Sequence, residues 1–124
     1  MNDTVLVVDD DQLLLRLLEI NLNKVGCQVY KAMDGPTALR IACEETPSLI
    51  LLDLMMPRMD GWEVIRQLKD CEATRDIPVI IVTGKVDSGT RLKILELGAD
   101  GFISKPFDVI KLREMIKDRL ATHN

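Results

Sequence analysis

The sequence predicts an α/β domain, a doubly wound parallel sheet with helices on both faces, built in one chain of 124 residues. Three observations predict it. Apolar runs without polar alternation, Val5 to Val8, Leu49 to Leu52 and Val79 to Val82, fit strands buried on both faces, as a parallel sheet requires. Stretches with apolar residues at steps of three and four separate these runs, each with one stripe suited to a helix lying on a sheet. At roughly 100–200 residues per domain, the length holds one domain, residues 1–124.

The elements follow in order. Val5 to Val8 is the first strand, and Asp11 caps a helix whose stripe is Leu14, Leu17, Leu18 and Leu22, stopped at Gly26. Gln28 to Lys31, fainter, reads as an edge strand. Gly35 before Pro36 starts a helix with Ala38, Ile41 and Ala42 inward. After Leu49 to Leu52, Asp60 with Glu63 three residues on caps a helix with Trp62, Ile65 and Leu68 inward. Val79 to Val82 is followed by a helix capped by Asp87, with Leu92, Leu95 and, less regularly, Leu97 facing the core, and ended by Gly98. Phe102-Ile103 is the last strand, and Asp108 caps a helix carrying Val109, Leu112, Ile116 and Leu120. Alternation of this kind calls for right-handed crossovers.

Composition excludes several functions. Aromatic residues are 3%, one Trp, one Tyr and two Phe, too few for a platform on which bases stack. A net charge of −4 lacks the basic field that binds phosphate backbones, so no direct nucleic-acid contact is expected. No apolar run approaches the ~18 residues that span a bilayer, so no membrane role is expected. Asp3 follows almost directly on Met1 with no secretory pattern, which places the protein in the cytoplasm. Cys27, Cys43 and Cys71 contain no C-x-x-C pair and read as reduced structural thiols. Phosphate-cradling glycine loops are missing, since Gly84-Lys85 runs into Val86, and the lone His123 supports no nucleophile–base pair. Asp100, Arg113 and Lys117 are open to two readings, a dimer face or plain solvated charges.

The polar residues that end the strands carry the chemistry. Asp9, Asp10 and Asp11 follow Val8, Asp53 follows Leu52, Thr83 follows Val82, and Ser104 and Lys105 follow Ile103. All lie at the carboxyl edge of the sheet, where open parallel sheets bind ligands. Each alone is explained as a strand end or a helix cap, and Asp11 is best read as a cap. Carboxylates about 5 Å apart repel by roughly 3 kcal/mol per pair at an effective dielectric near 20, so the set needs a cation or a proton. An all-oxygen set with room for water and phosphate oxygens suits Mg²⁺ better than Ca²⁺ or a soft metal. Lys105 is placed to neutralise a phosphoryl oxygen and Thr83 to donate a hydrogen bond to it. What remains after these exclusions is a carboxylate nucleophile assisted by Mg²⁺.

Taken jointly, Val5-Leu6-Val7-Val8-Asp9-Asp10-Asp11, Leu52-Asp53-Leu54-Met55-Met56-Pro57 through Met59-Asp60-Gly61, Val82-Thr83-Gly84 and Gly98-Ala99-Asp100-Gly101-Phe102-Ile103-Ser104-Lys105-Pro106-Phe107 resemble the receiver domains of two-component response regulators. The chain is close in size to the single-domain chemotaxis type. The resemblance covers the whole chain and implies a flavodoxin-like sheet of five strands in the order 2-1-3-4-5. It implies that Asp53 accepts a phosphoryl group from a phosphohistidine of a sensor histidine kinase or phosphotransfer protein. Asp10, Asp53 and the Met55 carbonyl are implied as Mg²⁺ ligands, with Asp9 acting through water. Thr83 and Phe102 are implied as the switch of a fourth-helix, fifth-strand and fifth-helix surface read by a downstream output protein or output domain. The domain is thus a phosphoacceptor that assists its own phosphorylation and dephosphorylation rather than an enzyme with a separate substrate.

Some positions depart from the family pattern or bear on rival readings. Gly84 stands where Ala is more common, which loosens the loop into the fourth helix. Phe102 lacks the hydroxyl of the Tyr often found there, so it reports by packing alone. A haloacid-dehalogenase-type phosphatase would need a second Asp where Met55 stands, and a cap for which the chain is too short. A phosphorylation-independent module on the same fold would not need the full set of Asp9, Asp10, Asp53, Thr83 and Lys105. The Lys105–Pro106 bond is expected to be cis, turning the ammonium back over the site. Met55 and Lys85 are expected to flank the water that hydrolyses the phosphoaspartate, and neither activates it.

Overall fold

β3 (Leu49–Asp53) and β4 (Val79–Thr83) are buried along their whole length, as continuous apolar runs demand: such strands have no solvent face, so helices must cover both sides. The computed structural model describes residues 3–56, 60–84 and 87–123. β1 (Thr4–Val8) lies beside β3, while β2 (Gln28–Ala32) and β5 (Gly101–Ser104) form the edges. The order is β2-β1-β3-β4-β5 with every pair parallel, the expected flavodoxin-like sheet. The helices are α1 (Gln12–Lys24), α2 (Gly35–Glu45), α3 (Gly61–Asp70), α4 (Ser88–Glu96) and α5 (Val109–His123). The chain steps outward from β1 to β2 and then back across to β3, so strand order reverses between β1 and β3.

Strand periodicity divides the core into two layers. Val5, Val7, Leu49, Leu51 and Ile80 face Leu15, Leu18 and Leu22 of α1 and Leu112, Ile116 and Leu120 of α5. Leu6, Val8, Ile50, Leu52 and Ile81 face Ala38 and Ala42 of α2, Val64, Ile65 and Leu68 of α3, and Ile94 of α4. Each fully buried Leu or Ile contributes about 1.5–3 kcal/mol, so both layers are needed to offset the ordering of the chain.

The caps at Asp11, Asp60, Asp87 and Asp108 form as expected, each carboxylate accepting from N–H groups of the following turn. α2 differs. Its cap is Asp34, which accepts from the Thr37 N–H at 2.8 Å, and Gly35 is the first helical residue. The inward stripe of α4 also differs: Leu92 and Leu95 are exposed, whereas Ile94 is 1% exposed. On a helix this short, a single side chain reaching the sheet sets the rotation, and Ile94 takes that place between the two leucines. On α1, Leu15 is buried and Leu17 is exposed, because the helix turns its 15, 18 and 22 positions inward. The Lys105–Pro106 bond is cis. Asp100 is held internally: its Oδ2 accepts the Val79 N–H at 2.8 Å, and its carbonyl accepts from Arg119.

Gly61 fixes how closely α3 approaches the end of β3. Its N–H donates to the Leu54 carbonyl at 2.9 Å, and a Cβ there would lie 2.4 Å from the Leu54 Cα and 2.8 Å from the Asp53 carbonyl oxygen. No L side chain fits against that backbone. A Cβ at Gly84 would meet open space. Gly61→Ala is therefore expected to lose about 1–3 kcal/mol in urea unfolding. Gly84→Ala should leave the midpoint unchanged or raise it slightly.

Candidate functional site

Because β1 and β3 are neighbours at the point where strand order reverses, the residues that end them meet in one crevice. Asp9, just past β1, is 3% exposed, and Asp53, the last residue of β3, is 4% exposed. Asp9 Oδ1 accepts the Asp11 N–H at 2.9 Å, and Asp53 Oδ1 accepts the Met55 N–H at 3.0 Å. Lys105 Nζ, arriving from the end of β5, donates to Asp9 Oδ2 at 2.9 Å and to Asp53 Oδ2 at 3.2 Å. The Lys105 N–H donates to the Thr83 carbonyl at 2.7 Å, which pins the start of the β5–α5 turn to the end of β4. Thr83 itself is buried.

Asp10 is exposed beside this pair, and Asp9, Asp10 and Asp53 offer carboxylate oxygens that all lie within 4.8 Å of one another. Hard oxygen donors at that spacing, with the exposed Asp10 on the solvent side, fit a hard divalent cation. Among the described residues one ammonium, that of Lys105, faces these three carboxylates, so this part of the site is short of positive charge. Burial pushes the Asp53 carboxyl above its ordinary range and Asp9 adds to this, against the Met55 N–H and Lys105. Burial opposes the Lys105 charge too, but its bonds to Asp9 and Asp53 prevail, and its net shift is upward. That stabilisation is complete below the ordinary lysine range and is lost only as pH rises through the raised value.

The structure thus brings together Asp9, Asp10, Asp53, Thr83 and Lys105, the residues singled out at the strand ends. Met55 holds Asp53 through its N–H while its side chain is 72% exposed. Phe102 lies on β5 opposite Ile81 and packs half-buried on the α2–α3–α4 core layer. Pro57, Met59, Lys85 and Val86 lie outside the described residues. Two contributors were not legible beforehand. The Arg91 guanidinium sits over the Phe102 ring, 5.2 Å from its centroid, and no spacing rule pairs a residue of α4 with one of β5. Gly61 stood inside a quoted motif, yet its need to be glycine arises only from the backbone of Leu54.

Comparison with known proteins agrees with this fold. The family model described as response regulator receiver domain matches residues 5–117. The response regulator PleD of Caulobacter vibrioides is 48% identical over 112 residues, which cover 90% of this chain and 25% of PleD. The chain therefore spans about a quarter of that relative's length. The receiver domain of the Francisella response regulator 1452 superposes with a TM-score of 0.92 at 26% identity, covering 99% of this chain and 100% of that one. The receiver domain of the Pseudomonas aeruginosa PAO1 sensor histidine kinase PA1611, solved with a magnesium ion coordinated in its active site cleft, superposes with a TM-score of 0.87 at 26% identity, covering 98% of this chain and 99% of that one.

The burial of Asp53 has a thermodynamic consequence with a definite sign. A carboxyl whose folded value lies above its unfolded value makes the fold less stable as pH rises through the folded value. In the presence of a chelator at neutral pH, Asp53→Asn should melt a few degrees higher than the wild type. The gap should close as pH falls toward the ordinary carboxylate range. Identical melting curves across that range would show that Lys105 fully compensates the buried charge.

Proposed function

Since the chain belongs to the response regulator receiver domain family, a family of signalling domains, we propose that Asp53 is its phosphoacceptor, taking the phosphoryl group from a phosphohistidine of a sensor histidine kinase or phosphotransfer protein. The observation that carries this reading is the Lys105 ammonium bridging Asp9 and Asp53 at the strand-order reversal. Asp53 attacks phosphorus through a carboxylate oxygen, the new O–P bond forming in line as the N–P bond breaks and the imidazole keeps its electron pair. Lys105 stabilises the equatorial phosphoryl oxygens and Thr83 donates to one of them. The Met55 N–H on Asp53 Oδ1 orients the carboxylate. Asp10, Asp53 and the Met55 carbonyl are the groups that would hold Mg²⁺, with Asp9 behind them, and the bound ion would neutralise charge on the carboxylates and the phosphoryl group.

Phosphorylation adds roughly −1.5 to −2 charges and strong acceptor oxygens at Asp53. The added charge draws Lys105 and Thr83 toward it. In our reading Phe102 then turns inward behind Thr83, leaving the Arg91 guanidinium that now covers its ring, and the α4–β5–α5 surface changes for a downstream output protein or output domain. A protein donor is also favoured by the apolar Leu17, Pro106 and Phe107 beside Lys105, with Leu13 of α1 exposed close by. No helix among the described residues is long and apolar enough to cross a membrane. We place the domain in the cytoplasm, with no direct contact to nucleic acid or membrane.

Acetyl phosphate with Mg²⁺ should give one acid-stable, base-labile adduct, and Asp53→Asn should give none. Asp10→Ala should lose both Mg²⁺ binding and phosphorylation, keep its circular dichroism spectrum and melt higher than wild type in chelator. Labelling of Asp10→Ala at the wild-type rate would overturn the metal assignment. Met55, and Lys85 outside the described residues, bear on lifetime. A Met55→Asn, Lys85→Glu double variant should dephosphorylate several-fold faster without a partner, with Mg²⁺ affinity little changed. Equal rates would place both side chains in partner docking instead.

A further inference from the structure

α4 is the helix that the core holds least. Ile94 is its one buried side chain, while Leu92 and Leu95 stand exposed. At about 100° per residue, Arg91 lies about 60° to one side of Ile94 and Lys93 about 100° to the other. The two cations therefore straddle the helix. Arg91 covers the Phe102 ring of β5, and the Lys93 ammonium sits over the ring of Trp62 on α3, 4.5 Å from its centroid. Trp62 is half-buried against the α2–α3–α4 core layer, so its ring is a fixed plate, whereas Lys93 is exposed on a flexible stem.

Trp62 stands at the Asp53 end of α3. Its N–H donates to the Asp60 carboxylate at 2.7 Å, and the adjacent Gly61 N–H donates to the Leu54 carbonyl at 2.9 Å, with no room for a Cβ against the Asp53 and Leu54 backbone. Lys93 thus ties α4 to the helix start that is set most closely against the end of β3. The carboxyl end of α4 is anchored differently, through the backbone. The Leu97 N–H donates to the Lys93 carbonyl at 3.1 Å, the Ala99 N–H to the Ile94 carbonyl at 3.3 Å and the Asp100 N–H to the Val79 carbonyl at 2.8 Å, while Leu97 and Ala99 pack on the core. Gly98 turns the chain there with φ +84°. The freedom left to α4 is a pivot about that end, opposed on the α3 side by Lys93.

We propose that the Lys93–Trp62 contact is a brake on α4: it holds the helix against α3 in the unphosphorylated domain and parts when the α4–β5–α5 surface changes. The proposal rests on the reading of Asp53 as phosphoacceptor, and it adds a contact that neither Thr83 nor Phe102 makes. Because Asp53 and Lys93 bias the position of one helix, linkage makes the effect reciprocal. Whatever releases α4 also strengthens the hold of Asp53 on a phosphoryl group. A cation over a ring at an exposed position holds weakly, so its loss shifts the helix equilibrium about two- to fivefold.

The test compares the full chain with Lys93→Gln and Lys93→Arg. Without any phosphoryl group, the amides of residues 88–96 should exchange with deuterium about two- to fivefold faster in Lys93→Gln, those of α1 and α5 being unchanged. Acrylamide should also quench Trp62, the only tryptophan, more strongly in that variant. At saturating Mg²⁺, beryllium fluoride, which sits on a carboxylate as a phosphoryl group does, should bind Lys93→Gln about two- to fivefold more tightly. Loss of a positive charge by itself weakens the binding of an anion, so a purely electrostatic role for Lys93 has the opposite sign. Lys93→Arg should match the wild type in every measurement. Unchanged exchange in Lys93→Gln overturns the brake, and so does faster exchange with equal or weaker beryllium fluoride binding. A wild type that neither binds beryllium fluoride nor forms an adduct with acetyl phosphate overturns instead the phosphoacceptor reading on which the brake rests.

Discussion

The Lys105 ammonium, set against the carboxylates of Asp9, Asp10 and Asp53, organises this molecule. Lys105 reaches across the sheet edge from the last strand to acids at the ends of β1 and β3, so the bridge closes only when all five strands are in order. It joins residues 96 positions apart in the chain, Asp9 and Lys105. Among the described residues the bridge leaves the acidic group undercompensated, so the crevice suits a cation, and under the proposed phosphorylation the added negative charge would compete for the Lys105 contact.

The apolar layers supply the rigidity that this electrostatic tension requires. Burying the strand ends takes Asp9 and Asp53 out of water while the backbone N–H groups of Asp11 and Met55 orient one oxygen of each. Gly61 completes the arrangement, because α3 starts directly against the backbone of the residue after Asp53. Small displacements of the α3 start are thereby passed to Asp53, since well-packed backbone has little room to give.

Rigidity is not evenly distributed. α1, α3 and α5 bury three or more side chains each, whereas α4 buries Ile94 alone. Its other ties are cations over rings, Arg91 over Phe102 and Lys93 over Trp62, contacts that are worth little at exposed positions and re-form easily. A helix held in this way is the cheapest element to move. It lies beside β5, whose end supplies Lys105.

The sequence alone determined the alternation of strands and helices, four of the five caps and the polar residues of the crevice. Each of these depends on local chemistry: a continuous apolar run, an Asp before a helix, or a carboxylate that follows a strand. Tertiary structure alone decided the rest. Whether Ile94 or its leucine neighbours faces inward depends on how a short helix lands on the sheet. Asp34 rather than Gly35 caps α2 because the extended chain leaving β2 aims that carboxylate at the Thr37 N–H. Lys105 settles on both Asp9 and Asp53, and Arg91 covers Phe102, through packing between elements distant in the chain. Spacing along a sequence carries no record of such encounters, because they are fixed by the positions of whole strands and helices.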